Sequence, residues 1–184
     1  MTKVGILVGS LRKESFSKKL AANVASLFPE GYQVEFVEIG NLALYNQDFD
    51  DENNVPSEYM TFRNKMKEID AVLFVTPEYN RTVPAVIKNA LDVGSRPYGA
   101  SVWNRKPAAI ISQSPGKLGG FGANHHLRQP LVFLNMPILQ QPEAYVGNVA
   151  DLLDEKGKVK DERTVKFLQS FVEAFIDLIK KNQA

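Results

Sequence analysis

The chain predicts an α/β fold, a parallel sheet with helices packed on both faces. Two observations carry the prediction. Apolar runs of strand length alternate with segments of helical periodicity along the whole chain. The run Ala71-Val72-Leu73-Phe74-Val75 is apolar throughout, as a strand buried on both faces must be. Crossovers in such a sheet are right-handed. Its ligands bind beyond the carboxyl ends of the strands, where the strand order reverses.

The first strand covers about Lys3 to Val8 and leads to a helix from about Ser17 to Phe28. The second strand, Gln33-Val34-Glu35-Phe36-Val37-Glu38, alternates apolar with polar residues and so reads as an edge strand. A polar segment from Asn41 to Pro56 precedes a helix over about Ser57 to Glu68. The third strand is Ala71 to Val75. The next helix starts at about Pro84, a residue suited to a first helical turn, and ends near Val93. Strand four is Ala108 to Ile111, and a helix follows over about Gly122 to Leu134. A last strand lies between Met136 and Val146. The final helix, about Glu162 to Lys180, sets Val165, Leu168, Val172, Phe175 and Ile179 on one face. Lys156 to Lys160 reads as a solvated turn.

The 184 residues are most simply one domain, residues 1–184, with a substantial core. A net charge of +1 provides no field for nucleic acid or a membrane surface. No apolar run approaches the roughly 20 residues of a membrane span. No cysteine is present, so disulfides, thiolate metal sites and cysteine nucleophiles are excluded together. With no signal-peptide pattern at the first strand, a cytoplasmic location is expected.

Three loops should converge at the carboxyl edge of the sheet. The first, Gly9-Ser10-Leu11-Arg12-Lys13-Glu14-Ser15-Phe16-Ser17, joins a buried strand to a helix N-terminus. Its backbone amides, three hydroxyls and one guanidinium suit an anion. It matches neither the dinucleotide fingerprint nor the Walker A loop, which favours a phosphate monoester. A polar turn with Ser15 or Ser17 as N-cap fits the same residues. The second loop, Thr76 to Pro84, carries Tyr79 as a flat face and Asn80 as donor and acceptor, features that suit a planar heterocycle. It reads equally well as a turn with Tyr79 as packing. The third, Ser112 to Gly122, is glycine-rich; it suits close approach to a ligand or a lid, and equally a flexible surface loop.

Taken in order, these loops are similar to those of the NADPH-dependent FMN reductase family, in its chromate, quinone and azo-dye reductase branch. The resemblance rests on Gly9-Ser10-Leu11-Arg12 with Ser15-Phe16-Ser17, on Pro77-Glu78-Tyr79-Asn80 with Val83-Pro84, and on Lys88-Asn89-Ala90-Leu91-Asp92. Gly119-Gly120 and His126-Leu127-Arg128-Gln129 continue it. It implies a flavodoxin-like doubly wound, five-stranded parallel sheet of order 2-1-3-4-5. It also implies an FMN-dependent oxidoreductase that passes electrons from NADPH or NADH to quinones, azo compounds, chromate or free flavin by a ping-pong mechanism. The resemblance assigns Ser10, Arg12, Ser15, Phe16 and Ser17 to the FMN phosphate, Pro77, Glu78, Tyr79 and Asn80 to the flavin ring, and Gln113 to the ring or ribityl chain. No side chain is identifiable as a catalytic acid or base. The expected partners are a small-molecule electron acceptor and further copies of the chain, as a homodimer or homotetramer. An electron carrier or a flavin-binding regulatory domain without NAD(P)H activity is the alternative, and the near-neutral charge argues against a carrier that docks basic partners.

This chain departs from the family at Gln113, where some relatives carry a small hydroxyl residue, and at Val93, where many carry a large aromatic. Other constellations are weaker. Asp48, Asp50 and Glu52 mimic the start of a calcium loop, but Asn53 stands in place of the required glycine. His125 and His126 are sequence neighbours splayed about 100° apart on a helix and make poor co-ligands for a metal; one is expected to be buried or at an interface. Arg128 and Glu143 are candidates for interface ion pairs or for ordinary surface charges. No acidic ribose-binding residue or 2′-phosphate clamp is identifiable, so NADPH and NADH are not distinguished.

Overall fold

A computed structural model describes residues 1–183. Five strands form one sheet in the order β2-β1-β3-β4-β5, and every neighbouring pair is parallel. The strands are β1 (Thr2–Val8), β2 (Tyr32–Phe36), β3 (Ala71–Pro77), β4 (Ala108–Gln113) and β5 (Ala144–Val146). The helices are α1 (Phe16–Ala25), α2 (Asp48–Asp51), α3 (Ser57–Glu68), α4 (Ala85–Gly94), α5 (Phe121–Phe133), α6 (Val149–Leu152) and α7 (Glu162–Gln183). This is the flavodoxin-like arrangement expected from the resemblance.

The pleat divides the core into two layers. Val4, Ile6 and Val8 of β1 and Leu73 and Val75 of β3 pack against Leu20 and Val24 of α1 and Phe171, Val172 and Phe175 of α7. Leu7, Val72, Phe74 and Ile110 face the other way, against Phe62 and Met66 of α3, Ile87 and Leu91 of α4, and Leu127 and Leu131 of α5. β2 is the edge strand its alternation predicts, half-buried and half-exposed along its length. Along α7, the predicted apolar face is buried from Leu168 to Ile179, while Val165 at its start lies exposed.

Several boundaries differ from expectation for identifiable reasons. α1 stops at Ala25, before Phe28, because Phe28 precedes Pro29 and is biased away from the helical region. The hydroxyl of Ser26 there donates to the carbonyl of Asn23 at 2.7 Å. β3 and β4 each run two residues past their apolar cores, because Thr76 pairs with Ser112 and Pro77 with Gln113. β2 ends at Phe36, two residues early. The polar segment before α3 contains α2, where the Asp50 carboxylate receives both terminal nitrogens of Arg63 at 2.7 and 2.8 Å. That bond engages the central acid of the calcium-like triplet. The turn at Lys156–Lys160 is held by Asp154, whose Oδ1 accepts the amides of Lys156 and Lys158 at 2.9 and 2.8 Å. No helix among the described residues is long and apolar enough to cross a membrane.

Candidate functional site at the carboxyl edge of the sheet

The first loop leaves β1 beside β3, where the amide of Gly9 donates to the carbonyl of Val75 at 2.9 Å. Ser15 takes extended geometry and becomes the N-cap of α1; its Oγ accepts the amide of Lys18 at 3.1 Å. The polar turn with a serine N-cap is therefore present, with Ser15 as the cap. The amides of Phe16 and Ser17 fall in the first turn, where a helix offers no internal acceptor. The hydroxyl-bearing residues Ser10, Ser15 and Ser17 are all buried, whereas Arg12 lies exposed at the rim.

β3 delivers Pro77 to the same edge, next to Gln113 at the end of β4. The chain then folds back tightly. Tyr79 and Thr82 exchange both backbone hydrogen bonds at 3.0 Å, with Asn80 and Arg81 at positive φ (51° and 67°) between them. Two successive left-handed residues close this two-residue hairpin, a geometry that Asn tolerates well. Glu78 turns its side chain toward α5, and its Oε2 accepts the amide of Ala123 at 3.0 Å. Gly120, the residue before α5, has no side chain to cap the helix, so Glu78 caps it from another loop. A Cβ on Gly122 would lie 2.7 Å from the Arg81 carbonyl oxygen and 2.9 Å from Glu78 Oε2, so only glycine allows this approach.

Gln113 is 4% exposed. Its Nε2 donates to Ser17 Oγ at 2.8 Å, which joins the first loop to the third. Its Oε1 has no hydrogen-bond partner among the described residues. A buried acceptor without a partner costs about 1–3 kcal/mol, so it marks a place where a donor belongs. The glycines of the third loop serve the protein: a Cβ on Gly119 would meet the Tyr145 carbonyl carbon at 2.5 Å. Close packing on β5 replaces the free surface loop that composition alone allows.

All the nominated residues except Ser17 and Asn80 line one cleft of about 180 Å³, joined there by Ser114 and Pro115. Ser17 lies behind it, linked through Gln113, and Asn80 shapes the hairpin. Ser114 and Pro115 belong to the third loop expected at this edge, and the register of β4 is what singles them out. The volume is below the roughly 300 Å³ of an enclosed small-molecule pocket. A larger cavity of about 370 Å³ lies at the carboxyl ends of α4 and α5, the opposite edge of the sheet, away from the three loops.

The flanking groups correct one expectation: neither histidine is buried within the chain. His125 and His126 are both exposed, because the buried face of α5 runs through Ala123, Asn124, Leu127 and Leu131. His126 Nδ1 lies 2.9 Å from Thr82 Oγ1 and His125 Nε2 lies 2.9 Å from Tyr145 Oη. Arg128 and Glu143 face each other within the chain at 4.0 Å. Burial, followed by the Glu143 carboxylate, pushes the Tyr145 phenol up to about 12. Among the described residues no group of three or more His, Asp or Glu could hold a metal ion.

Comparison with known proteins is consistent with this geometry. Residues 2–151 match the family model described as NADPH-dependent FMN reductase. The chain is 53% identical over 181 residues to a quinone reductase of Pseudomonas putida, covering 98% of this chain and 96% of that protein. It is 43% identical over 173 residues to a 2-hydroxy-1,4-benzoquinone reductase of Burkholderia sp, covering 94% and 93%. Among solved structures it is similar to FerB, a flavoenzyme NAD(P)H:(acceptor) oxidoreductase from Paracoccus denitrificans, with a TM-score of 0.92, 40% identity and 99% of each chain covered.

Proposed function

The chain belongs to the NADPH-dependent FMN reductase family, an NAD(P)H oxidoreductase with FMN as cofactor, and from that premise we propose that it reduces quinones. The observation that carries the reading is the convergence of three loops on one cleft, whose walls combine Ser10, Arg12, Ser15 and Phe16 with Pro77, Glu78, Tyr79 and Gln113. The quinone reductase and 2-hydroxy-1,4-benzoquinone reductase among its relatives support the acceptor class. Azo compounds, chromate and free flavin are further acceptors in this reading.

The residues present fit FMN. Ser10, Ser15 and the first-turn amides of Phe16 and Ser17 supply donors for a phosphate, and Arg12 adds a cation at the rim. The unpartnered Oε1 of Gln113 suits a hydroxyl donor on the ribityl chain. The backbone of Pro77, Glu78, Tyr79 and Asn80 lines the ring, with the exposed Tyr79 side chain at the open face. The bound cofactor supplies hydride acceptance and onward electron transfer. The chain's own tasks are to hold the phosphate, to fix the ring against the Glu78–Thr82 hairpin and to leave one face accessible. Donor and acceptor then use that face in turn, which predicts ping-pong kinetics. In the same reading the chain is a single cytoplasmic flavin-binding domain. It assembles as a homodimer or homotetramer, supported by the exposed Tyr98, Val132 and Phe133; a monomer in light scattering would overturn that assembly.

The test is anaerobic spectroscopy of the FMN-loaded protein followed by steady-state kinetics with benzoquinone. NADPH or NADH alone should bleach the flavin, benzoquinone should restore it, and double-reciprocal plots should be parallel. Flavin that no nicotinamide bleaches would sink the reductase reading in favour of a carrier or regulatory domain.

A further inference from the structure

The strand order places the carboxyl end of β2 beside the phosphate loop, and a second cleft of about 260 Å³ opens there. Ser10 lines both clefts, so the two lie side by side along the first loop. The walls of the second cleft include Leu11 and Phe36, which are 54% and 53% exposed, an unusual outlay of apolar surface beside a polar loop. Phe36 is the last residue of β2. Lys18 also lines the cleft and has no acidic partner within ion-pair distance among the described residues, whereas its neighbour Lys19 pairs with Glu14 at 2.9 Å. Glu38, two residues past β2, completes the wall and holds the amide of Gly40 through Oε1 at 2.6 Å.

We propose that this second cleft takes the adenylate half of FAD, so that the flavin site accepts the dinucleotide as well as FMN. The inference rests on reading the Gly9–Ser17 loop as the flavin phosphate cradle. From that phosphate, FAD continues through a pyrophosphate bond, and the neighbouring cleft that shares Ser10 carries Lys18 in its wall. The Lys18 ammonium offers a charge-assisted contact to the second phosphate. Phe36 presents an exposed aromatic face on which adenine can stack. Glu38 stands at the end of the second strand, the position from which acidic residues take ribose hydroxyls in dinucleotide-binding sheets. Spacing in the sequence does not single it out; its place beside Phe36 does.

The full-length FMN-loaded protein is dialysed against increasing FAD, and the bound flavins are released by heat and separated by chromatography. Wild type should exchange FMN for FAD. Phe36→Ala should lower the FAD:FMN affinity ratio by about 5- to 150-fold, the range of base–aromatic stacking. Lys18→Ala should lower it as well, and FMN affinity should hold within about 2-fold in both variants. Wild type that keeps FMN and refuses FAD would overturn the inference and leave the FMN site intact. An unchanged ratio in both variants would overturn it too. A rise in KM for NADPH with no change in the ratio would assign the cleft to the donor's adenosine and overturn the flavin assignment. Protein that binds neither flavin would overturn the cofactor site itself.

Discussion

Glu78 Oε2 and the backbone amide of Ala123 are hydrogen-bonded at 3.0 Å, although 45 positions separate them. The bond ties the hairpin beneath the proposed flavin ring to the first turn of α5. The Gly122 contact and the His126–Thr82 bond reinforce the same seam. Glu78 thus acts through the backbone it holds. Glu78→Ala should lower stability by about 1–3 kcal/mol, the cost of orphaning a helix N-terminal amide. For a chain of this size that is roughly 2–12 °C in Tm. Glu78→Gln keeps an acceptor oxygen and should recover most of the loss. A thermal melt of the three proteins decides it: equal loss in both variants would mean that charge, and not the cap, matters.

Arg12 is the exposed cation at the rim of the cleft. Its contact with a phosphate dianion should contribute about 1.5–3 kcal/mol. Arg12→Ala should therefore weaken FMN binding by roughly 10- to 150-fold in a fluorescence titration. Unchanged affinity would remove Arg12 from the phosphate site.

Gln113 joins two loops and leaves an acceptor open. Gln113→Leu keeps the bulk, removes that acceptor and deprives Ser17 of its donor. FMN affinity should fall by about 2- to 13-fold, the value of one ordinary hydrogen bond. A loss of stability with no change in FMN affinity would make the residue purely structural.

Tyr145 offers a pH test. The unfolded phenol loses its proton near 10, whereas the folded one holds it to about 12. Its stabilising contribution is whole below pH 10 and disappears as pH rises from 10 to 12. In Tyr145→Phe the decline of the urea midpoint across that window should be shallower than in wild type. Identical slopes would show that the phenol titrates alike in both states.

The Arg63–Asp50 pair is buried on both sides, with side-chain exposures of 6% and 9%. Asp50→Ala leaves a buried guanidinium without its partner and should cost about 3–5 kcal/mol. Calorimetry should find Tm lower by roughly 6–20 °C. A drop of only a degree or two would mean that water reaches Arg63.

The strands of the core were readable because each is a local run of apolar residues, and β2 declared itself an edge by alternation. Most of the cleft was readable for a related reason: loop one and the Pro77–Asn80 turn carry their chemistry in consecutive residues. What escaped was set by register and by distant partners. Nothing near Gln113 says that it pairs with Pro77, so nothing singles out Ser114 and Pro115 within the third loop. The capping of α5 by Glu78 depends on two loops meeting. The glycines of loop three pointed correctly to close approach, but the surface approached was β5.

The bonds that shape the phosphate loop are all internal to the chain: Ser15 to Lys18, Gly9 to Val75, and Gln113 to Ser17. Folding itself therefore builds the receptor, and loading need not order it. A ligand that docks there meets a loop already held at Gly9, Ser15 and Ser17, which lowers the ordering cost of binding. Cofactor insertion becomes a late and reversible step in the life of the molecule. Flavin that binds only the folded chain then adds to its stability by mass action, so Tm should climb with flavin concentration.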